Sequence, residues 1–528
     1  MATVFQALLL GLYTIIGYED ALAEFAYLGT SMTVAGFITG LIMGDPMTGL
    51  IIGASCELVF LGIYAVGGAR PPEPFVGTVI AAAIAIESHT GIEVALPLAV
   101  PIAVLGAQLF TVLLTASTVW IHAADKFNEK GQFGKAYLMH VLAGPVMISS
   151  GMAVPIVLAV LYGGAPIESF NNWVSANVPW LWGSLSVGAA LMVPVGIAAL
   201  MKMYWNIRFI PFFLIGFTLA AAIKIGIIPV VIMGGAIAAI FYTGLASDSG
   251  QVNSAPSAKM ETTPALGERK LTNRDLFGAF LRHYLLQNSW CFERMQALGY
   301  YFSIMPIVRK IFPKEEATER GKMHLEFYNT NPNTSALILG INLALEEQKT
   351  EMDVIKSLKT GLMGAMAGIG DSIYGFAFRA TICAIGASLA LQGSIIGPIL
   401  IIVGAFVVLA LSKWYFIKAG YNTGLGIVEL MKKGVVEKAT NAIGILGSMS
   451  MGSIVATWVN ITTPLKYMSQ GQEVVSVQSV LDGIFPKLLP LAFLILAVTL
   501  LRKGLSLTKT MLLFFVLGVV LAIFGILG

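Results

Sequence analysis

Charge is scarce in this chain. Of 528 residues only 12% are charged, 57% are hydrophobic, and the mean hydropathy is +0.82. Soluble domains carry roughly 25% charged residues, so water is not the main solvent of this fold. Cysteine is scarcer still: Cys56, Cys291 and Cys383 stand far apart in apolar or amphipathic surroundings. That excludes a disulfide framework and a metal knuckle. The five histidines show no metal-ligand spacing, and no metal or other cofactor is expected. The formal charge of +3 is spread out, with no lysine-arginine block of the kind that binds nucleic acid. The first segment, Met1 to Gly17, lacks a basic start and a small-residue cleavage site, so it reads as a retained helix rather than a signal peptide.

What the chain does have is apolar sequence. In the first half, apolar stretches fall near Val4–Gly17, Met32–Ala65, Phe75–Ile86, Val94–Ile121, Tyr137–Tyr162, Pro179–Leu200, Phe209–Ile223 and Ile227–Leu245. Each is about long enough to cross or enter a hydrocarbon core of roughly 30 Å. Many are interrupted, at Gly44-Asp45-Pro46, at Pro71-Pro72-Glu73-Pro74, and at Pro97 and Pro101. Broken backbone at membrane depth is tolerated where it is buried in protein or lines a cavity, and transporters build substrate sites from it. The expected fold class is an all-α polytopic membrane protein with broken and re-entrant helices. Two related membrane units are expected, with an amphipathic helical segment in the second.

The length exceeds one domain of about 100–200 residues, and composition marks a boundary. Residues 1–245 form a first membrane domain. Residues 246–270 are rich in Ser, Thr, Pro and Gly and read as a linker or junction. Inside it Met260 opens "METTPALGERKLTNRDLF", which reads as a second start; a natural fusion and two subunits joined end to end both fit. Residues 271–359 hold about a third of all the charges, on amphipathic helices such as "NRDLFGAFLRHYLLQ", and are expected to be cytoplasmic or interfacial. Residues 360–528 form a second membrane domain, with segments near Thr360–Leu389, Ile395–Leu411, Ile443–Trp458, Ile484–Leu501 and Met511–Leu527. The basic loops at Lys126, Lys130 and Lys135 and at Lys432, Lys433 and Lys438 face the cytoplasm by the positive-inside rule. Arg502, Lys503 and Lys509 place the C-terminus outside.

Against this background single polar residues stand out. Gly36, Gly40 and Gly44 form a small-residue ladder for close helix contact. Asp45 follows it, either at a membrane face or in a substrate site. Glu57, in "IIGASCELVFLG", is flanked by apolar residues, and an ionisable group there marks function by default. A carboxylate accepts several hydroxyl hydrogen bonds and can act as a general base; an interhelical ion pair is the plainer role. Gln108 is either a ligand contact or interhelical glue. In "LLQNSWCFERMQALGY" a helix would put Trp290, Glu293 and Arg294 on one face. Trp290 is then a stacking platform for a sugar ring, whereas Glu293 and Arg294 read as an interface pair. Asn329, Thr330 and Asn331 precede Pro332, a turn or helix start as readily as a substrate contact. Asp371 sits in "GLMGAMAGIGDSIYG", which echoes Gly44-Asp45 and lacks the lysine-serine ending of a nucleotide loop.

Several of these phrases carry a family resemblance. "GDPMTGLIIGASCELVFLG", "GGARPPEP" and "HAADK" resemble the IIC subunit of the mannose-fructose-sorbose phosphotransferase family. "SWCFERMQALGYYFSIMPIVRKIFP", "HLEFYNTNPN", "LALEEQ" and "GLMGAMAGIGDSI" resemble its IID subunit, and the likeness covers nearly all of the chain outside the linker. The resemblance implies a multi-pass permease of the bacterial inner membrane. IIC–IID pairs assemble around a three-fold axis, and sugar rides an elevator-like core against a fixed scaffold. Phosphate comes from a phosphohistidine on a separate IIB subunit, fed by IIA, HPr and enzyme I, with no ATP site. On this reading Glu57 is the base, and Gln108, Asn329 and Asp371 contact the sugar. Family members for mannose commonly read "GPLAGVGDPIFWGTVRP"; this chain departs at Ala365, Ser372, Tyr374-Gly375 and Ala380, and "GGARPPEP" looks closer to the amino-sugar branch, including N-acetylgalactosamine. A secondary transporter driven by protons or sodium, and a membrane receptor or scaffold, are the alternatives from other classes.

Overall fold

The computed structural model describes residues 3–61, 72–163, 180–204, 207–243, 271–291, 293–424, 435–469, 472–505 and 507–528, with isolated positions between 169 and 178. The linker at 246–270, Met260, the start of "GGARPPEP" and Lys432 and Lys433 lie outside the described residues.

The first half runs α1 (Val4–Ala23), α2 (Met32–Met43), α3 (Pro46–Phe60), α4 (Pro74–Glu87), α5 (Ile92–Ala116), α6 (Thr118–Glu129), α7 (Phe133–Leu142), a π-helical turn at Ala143–Ser149, α8 (Ser150–Tyr162), α9 (Trp180–Tyr204), α10 (Ile210–Ala221) and α11 (Ile227–Thr243). The second half continues with α12 (Asn273–His283), α13 (Ala297–Ile311), α14 (Lys314–His324), α15 (Ser335–Glu347), α16 (Met352–Gly370), a π-helical stretch at Asp371–Phe378, α17 (Arg379–Leu391), α18 (Ile396–Thr423) and α19 (Val435–Trp458). A two-stranded antiparallel hairpin, Lys466–Ser469 with Gln472–Ser476, is followed by α20 (Val477–Ile484), α21 (Leu488–Arg502) and α22 (Leu507–Ile523).

Four helical stretches among the described residues are long and apolar enough to cross a membrane: Ile92–Glu129, Phe133–Tyr162, Ile373–Leu391 and Ile396–Asn422. A fifth forms if α20 and α21, bent by 74°, act as one broken span. Shorter apolar helices fill in between. The stretch that opens at Met32 folds back on itself at the break expected at Gly44-Asp45-Pro46. Gly44, at φ 95°, ends α2, and Asp45 opens α3 by accepting from the Thr48 amide at 3.1 Å. Gly36 faces Gly53 and Gly40 faces Gly49, an antiparallel register in which a Cβ on Gly36 would stand 2.4 Å from the Gly49 carbonyl. The twelve residues of α2 and the fifteen of α3 rise about 18 and about 22 Å, each short of a hydrocarbon core of roughly 30 Å.

The halves interleave. The α2–α3 hairpin packs on α17, α9 lies against α21 and α22, and α10 against α19. Close backbone approach recurs at these seams, as where Gly518 meets the Cα of Gly188. One apolar core draws residues from both halves, among them Leu50, Phe60, Phe75, Cys383 and Phe514. A second core lies under the amphipathic helices of 271–359, around Tyr300, Tyr301 and Tyr328. There Glu346, fully buried, accepts from Arg320 at 2.7 Å and pairs with His324 at 2.9 Å. Burial is what forbids leaving any of these groups unpaired.

Candidate functional site

Glu57 lies on α3, 1% exposed. The glycine register that pairs Gly36 with Gly53 also sets Glu57 opposite the start of α2. Its Oε2 accepts from the Ser31 hydroxyl at 2.5 Å and from the Thr33 amide at 2.9 Å. Its Oε1 accepts no hydrogen bond from the described residues. The Cys383 thiol of α17 lies against both Ser31 and Glu57. A buried carboxylate with one oxygen that accepts no hydrogen bond from the described residues has capacity to receive a hydroxyl.

Glu57 belongs to a junction built from both halves. The segment Glu24–Ser31 joins α1 to α2 and is shaped by Asp20, whose carboxylate accepts from the Ala26 amide at 2.7 Å and the Leu28 amide at 2.6 Å. At its start Glu24 accepts from the Asn333 side chain of the second half at 2.6 Å. Near its end the Thr30 carbonyl accepts from Arg379, 5% exposed, at 3.4 Å.

On the other side Asn331 organises the turn before α15. Its Oδ1 accepts from the Asn333 amide at 3.0 Å, and its Nδ2 donates to Asp371 at 3.0 Å. Gly370 permits that approach, since a Cβ there would stand 2.3 Å from the Asn331 Cβ. Thr330 is locked to Gln296 in both directions, at 2.8 and 3.1 Å. Asp371 opens the π-helical stretch, a geometry that recurs at functional sites.

Of the expected site residues, then, Asn331 and Asp371 come together, and Glu57 stands across the same junction, linked through Ser31 and the Glu24 segment. Thr330 is buried beside them, and Asn329 is half-buried at the edge of the turn. Asp45 caps α3 at the far tip of the hairpin, with its carboxylate on the Thr48 hydroxyl at 2.6 Å. Gln108 faces outward on α5 in an exposed stripe with Leu105 and Val112.

The helix expected through "SWCFERMQ" is not formed. Residues 284–291 and 293–295 make turns and a Cys291–Met295 bridge rather than a helix, with Met295 at φ 54°. Trp290, Glu293 and Arg294 therefore share no helical face. Trp290 is 4% exposed and packed in the core, with its carbonyl accepting from Ser117 at 2.6 Å, so its ring presents no open platform. This arm plugs into the first half. Ser289 meets His140 at 2.6 Å, and Asn288 donates to Glu19, which also accepts from Ser149 at 2.5 Å. Arg294 pairs with Asp125 at 2.9 Å, and Glu293 with His122 at 2.9 Å, so "FERMQ" docks on "HAADK".

Glu24, Ser31, Asn333, Arg379 and Lys413 were missing from the sequence-based site. Arg379 and Lys413 carried a signal, as lone cations in apolar runs. Ser31 and Asn333 carried none, because their roles depend on which half they face.

A helical membrane protein with re-entrant hairpins and a buried polar junction between two interleaved halves belongs to the transporter class of folds. Residues 4–240 match the family model for the PTS system sorbose-specific IIC component, and residues 270–527 that for the mannose/fructose/sorbose family IID component. The mannose-specific EIID component of Escherichia coli is 40% identical over 281 residues, 51% of this chain and 99% of that protein. The sorbose-specific EIIC component of Klebsiella pneumoniae is 32% identical over 184 residues, 35% of this chain and 68% of that protein. A cryo-EM structure of the mannose transporter ManYZ with a microcin is 38% identical, covering 49% of this chain and all of that one, with a TM-score of 0.29. The chain belongs to the mannose/fructose/sorbose family of phosphotransferase-system sugar permeases, a IIC component followed by a IID component.

Proposed function

We propose that this permease imports an N-acetylated hexosamine across the bacterial inner membrane, with N-acetylgalactosamine favoured over mannose, and that import is coupled to phosphorylation by a separate IIB subunit. The sugar sits at the junction of Glu57, Glu24, Asn331, Asn333 and Asp371. The observation that carries this reading is the Glu57 carboxylate, buried to 1% exposure, oriented by Ser31 and Thr33 and with Oε1 left for a ligand. Glu57 takes the proton from the sugar hydroxyl as that oxygen forms its bond to phosphorus. The bond from phosphorus to the IIB histidine breaks, and the imidazole is the leaving group. IIA, HPr and enzyme I recharge IIB. The IIC–IID pairs work as a trimer, with the re-entrant hairpins moving as an elevator.

The substrate assignment rests on the departures at Ala365, Ser372, Tyr374-Gly375 and Ala380 from the mannose pattern. Tyr374 and Ala380 flank the junction on and after the π-helical stretch and are buried. The test is uptake into vesicles with mannose, fructose, sorbose, N-acetylglucosamine and N-acetylgalactosamine, with and without the phosphodonor proteins. The expected outcome is phosphorylated N-acetylgalactosamine inside, only when donors are present. Unmodified sugar accumulating on a proton or sodium gradient overturns the coupling, and mannose preferred over the N-acetylated sugars overturns the specificity.

A further inference from the structure

Lys413 lies deep within α18, one of the stretches long and apolar enough to cross a membrane, and is 1% exposed. A lysine at such a place is retained where its charge is met and used. Its ammonium crosses to the first half and donates to the carbonyl of Ala23, the last residue of α1, at 2.7 Å. That carbonyl belongs to the last turn, where intrahelical partners run out and the dipole favours a cation. The same ammonium stands 4.3 Å from the Tyr284 ring centroid, and the charges acting on it are those of Glu24 and then Asp20. Phe25, next in the chain, is held between Tyr284 at 5.0 Å and Phe406 at 4.9 Å.

The anchored point is the root of the segment that shapes the junction. Glu24 and Tyr27 adopt φ of 47° and 58°, values that side-chain-bearing residues rarely take and keep only when the surroundings dictate them. One end of the segment delivers Glu24 to Asn333, and the other delivers the Ser31 hydroxyl to Glu57.

We infer that Lys413 is a positioning residue for the sugar site, supplied to the IIC-derived segment by the IID half. It fixes the C-terminus of α1 and offsets the charge of Glu24, so that Glu24 and Ser31 face the substrate in one geometry. The inference rests on the reading of this junction as the sugar site.

The test uses the complete chain with its phosphodonor proteins. Lys413→Met keeps length and apolar character without the charge, and Lys413→Arg keeps the charge. Lys413→Met is expected to raise the KM for sugar about tenfold with a smaller change in kcat, at unchanged melting temperature, while Lys413→Arg stays within about threefold of the parent. If Lys413→Met fails to assemble, Lys413→Gln, which keeps a donor, takes its place. An unchanged KM overturns the inference, whether or not the melting temperature falls. Glu57→Gln and Asn331→Ala run in parallel. Normal sugar binding in both removes the site itself, whereas their loss beside an unaffected Lys413→Met removes only the role of Lys413.

Discussion

Asn333 of the second half donates its side-chain amide to Glu24 of the first at 2.6 Å, with Asn333 fully buried and Glu24 at 9% exposure. Two residues more than 300 positions apart thus close one junction.

Glu57→Gln keeps the shape of the side chain but removes its basicity and replaces one acceptor oxygen by a donor amide. Coupled phosphorylation is expected to fall by roughly 10²-fold or more, with the protein still extracted as a folded complex. Transport at the parent rate would take Glu57 out of the chemistry.

Asn331→Ala removes both the donor to Asp371 and the acceptor for the Asn333 amide in the turn before α15. Losing such a hydrogen bond costs about 1 kcal/mol. Weaker sugar binding in isothermal titration, beyond what Thr334→Ala produces, assigns Asn331 to substrate. A fall in melting temperature alone assigns it to the turn.

The Arg294–Asp125 pair joins the halves at a partly exposed surface, both side chains about a quarter exposed. A double-mutant cycle with Arg294→Ala and Asp125→Ala should return a coupling of about 1 kcal/mol or less. Transport should persist in both single variants, because the contact only docks the arm that carries Trp290.

Gly36→Val places side-chain atoms where the Gly49 carbonyl and Gly53 backbone already stand. Backbone cannot yield as a side-chain tip does, so a cost of about 3 kcal/mol or more is expected. Gly44→Ala meets no neighbour and pays only for its φ of 95°, about 1 kcal/mol. Yields of folded protein from detergent extracts should rank the two in that order.

His283, on the amphipathic α12, is 1% exposed and bonded to Ser335 at 3.0 Å. Burial, helped by the positive charge of Lys413, pushes its imidazole down to about 3. The unfolded chain takes up that proton near its ordinary value of about 6.5, and the folded chain resists. Stability from this group is therefore complete above about pH 6.5 and lost as pH falls toward 3. Melting temperature should be level from pH 8 to 7 and decline from pH 6.5 to 5, with a shallower decline in His283→Asn.

Some of this was readable without coordinates. The apolar composition, the breaks at Gly44-Asp45-Pro46 and the charged stretch after Leu271 follow from local chemistry, so the helical membrane fold and its re-entrant breaks were legible. That Glu57 needs buried partners was legible too, because a carboxylate amid apolar residues cannot be left unpaired. The helix drawn through Trp290 failed because the arm meets His140, Glu19 and Ser117 of the first half, and those contacts outweigh local propensity.

The chain by itself thus determined the solvent, the helical class and a short roster of polar residues that apolar surroundings make conspicuous. Tertiary structure decided which of them meet. Asp45 became a helix cap, Gln108 turned outward, and Glu24, Asn333, Arg379 and Lys413 entered the junction. The physical reason is that the value of a polar group in a low-dielectric interior depends on its partner, and here the partners come from opposite halves of the chain.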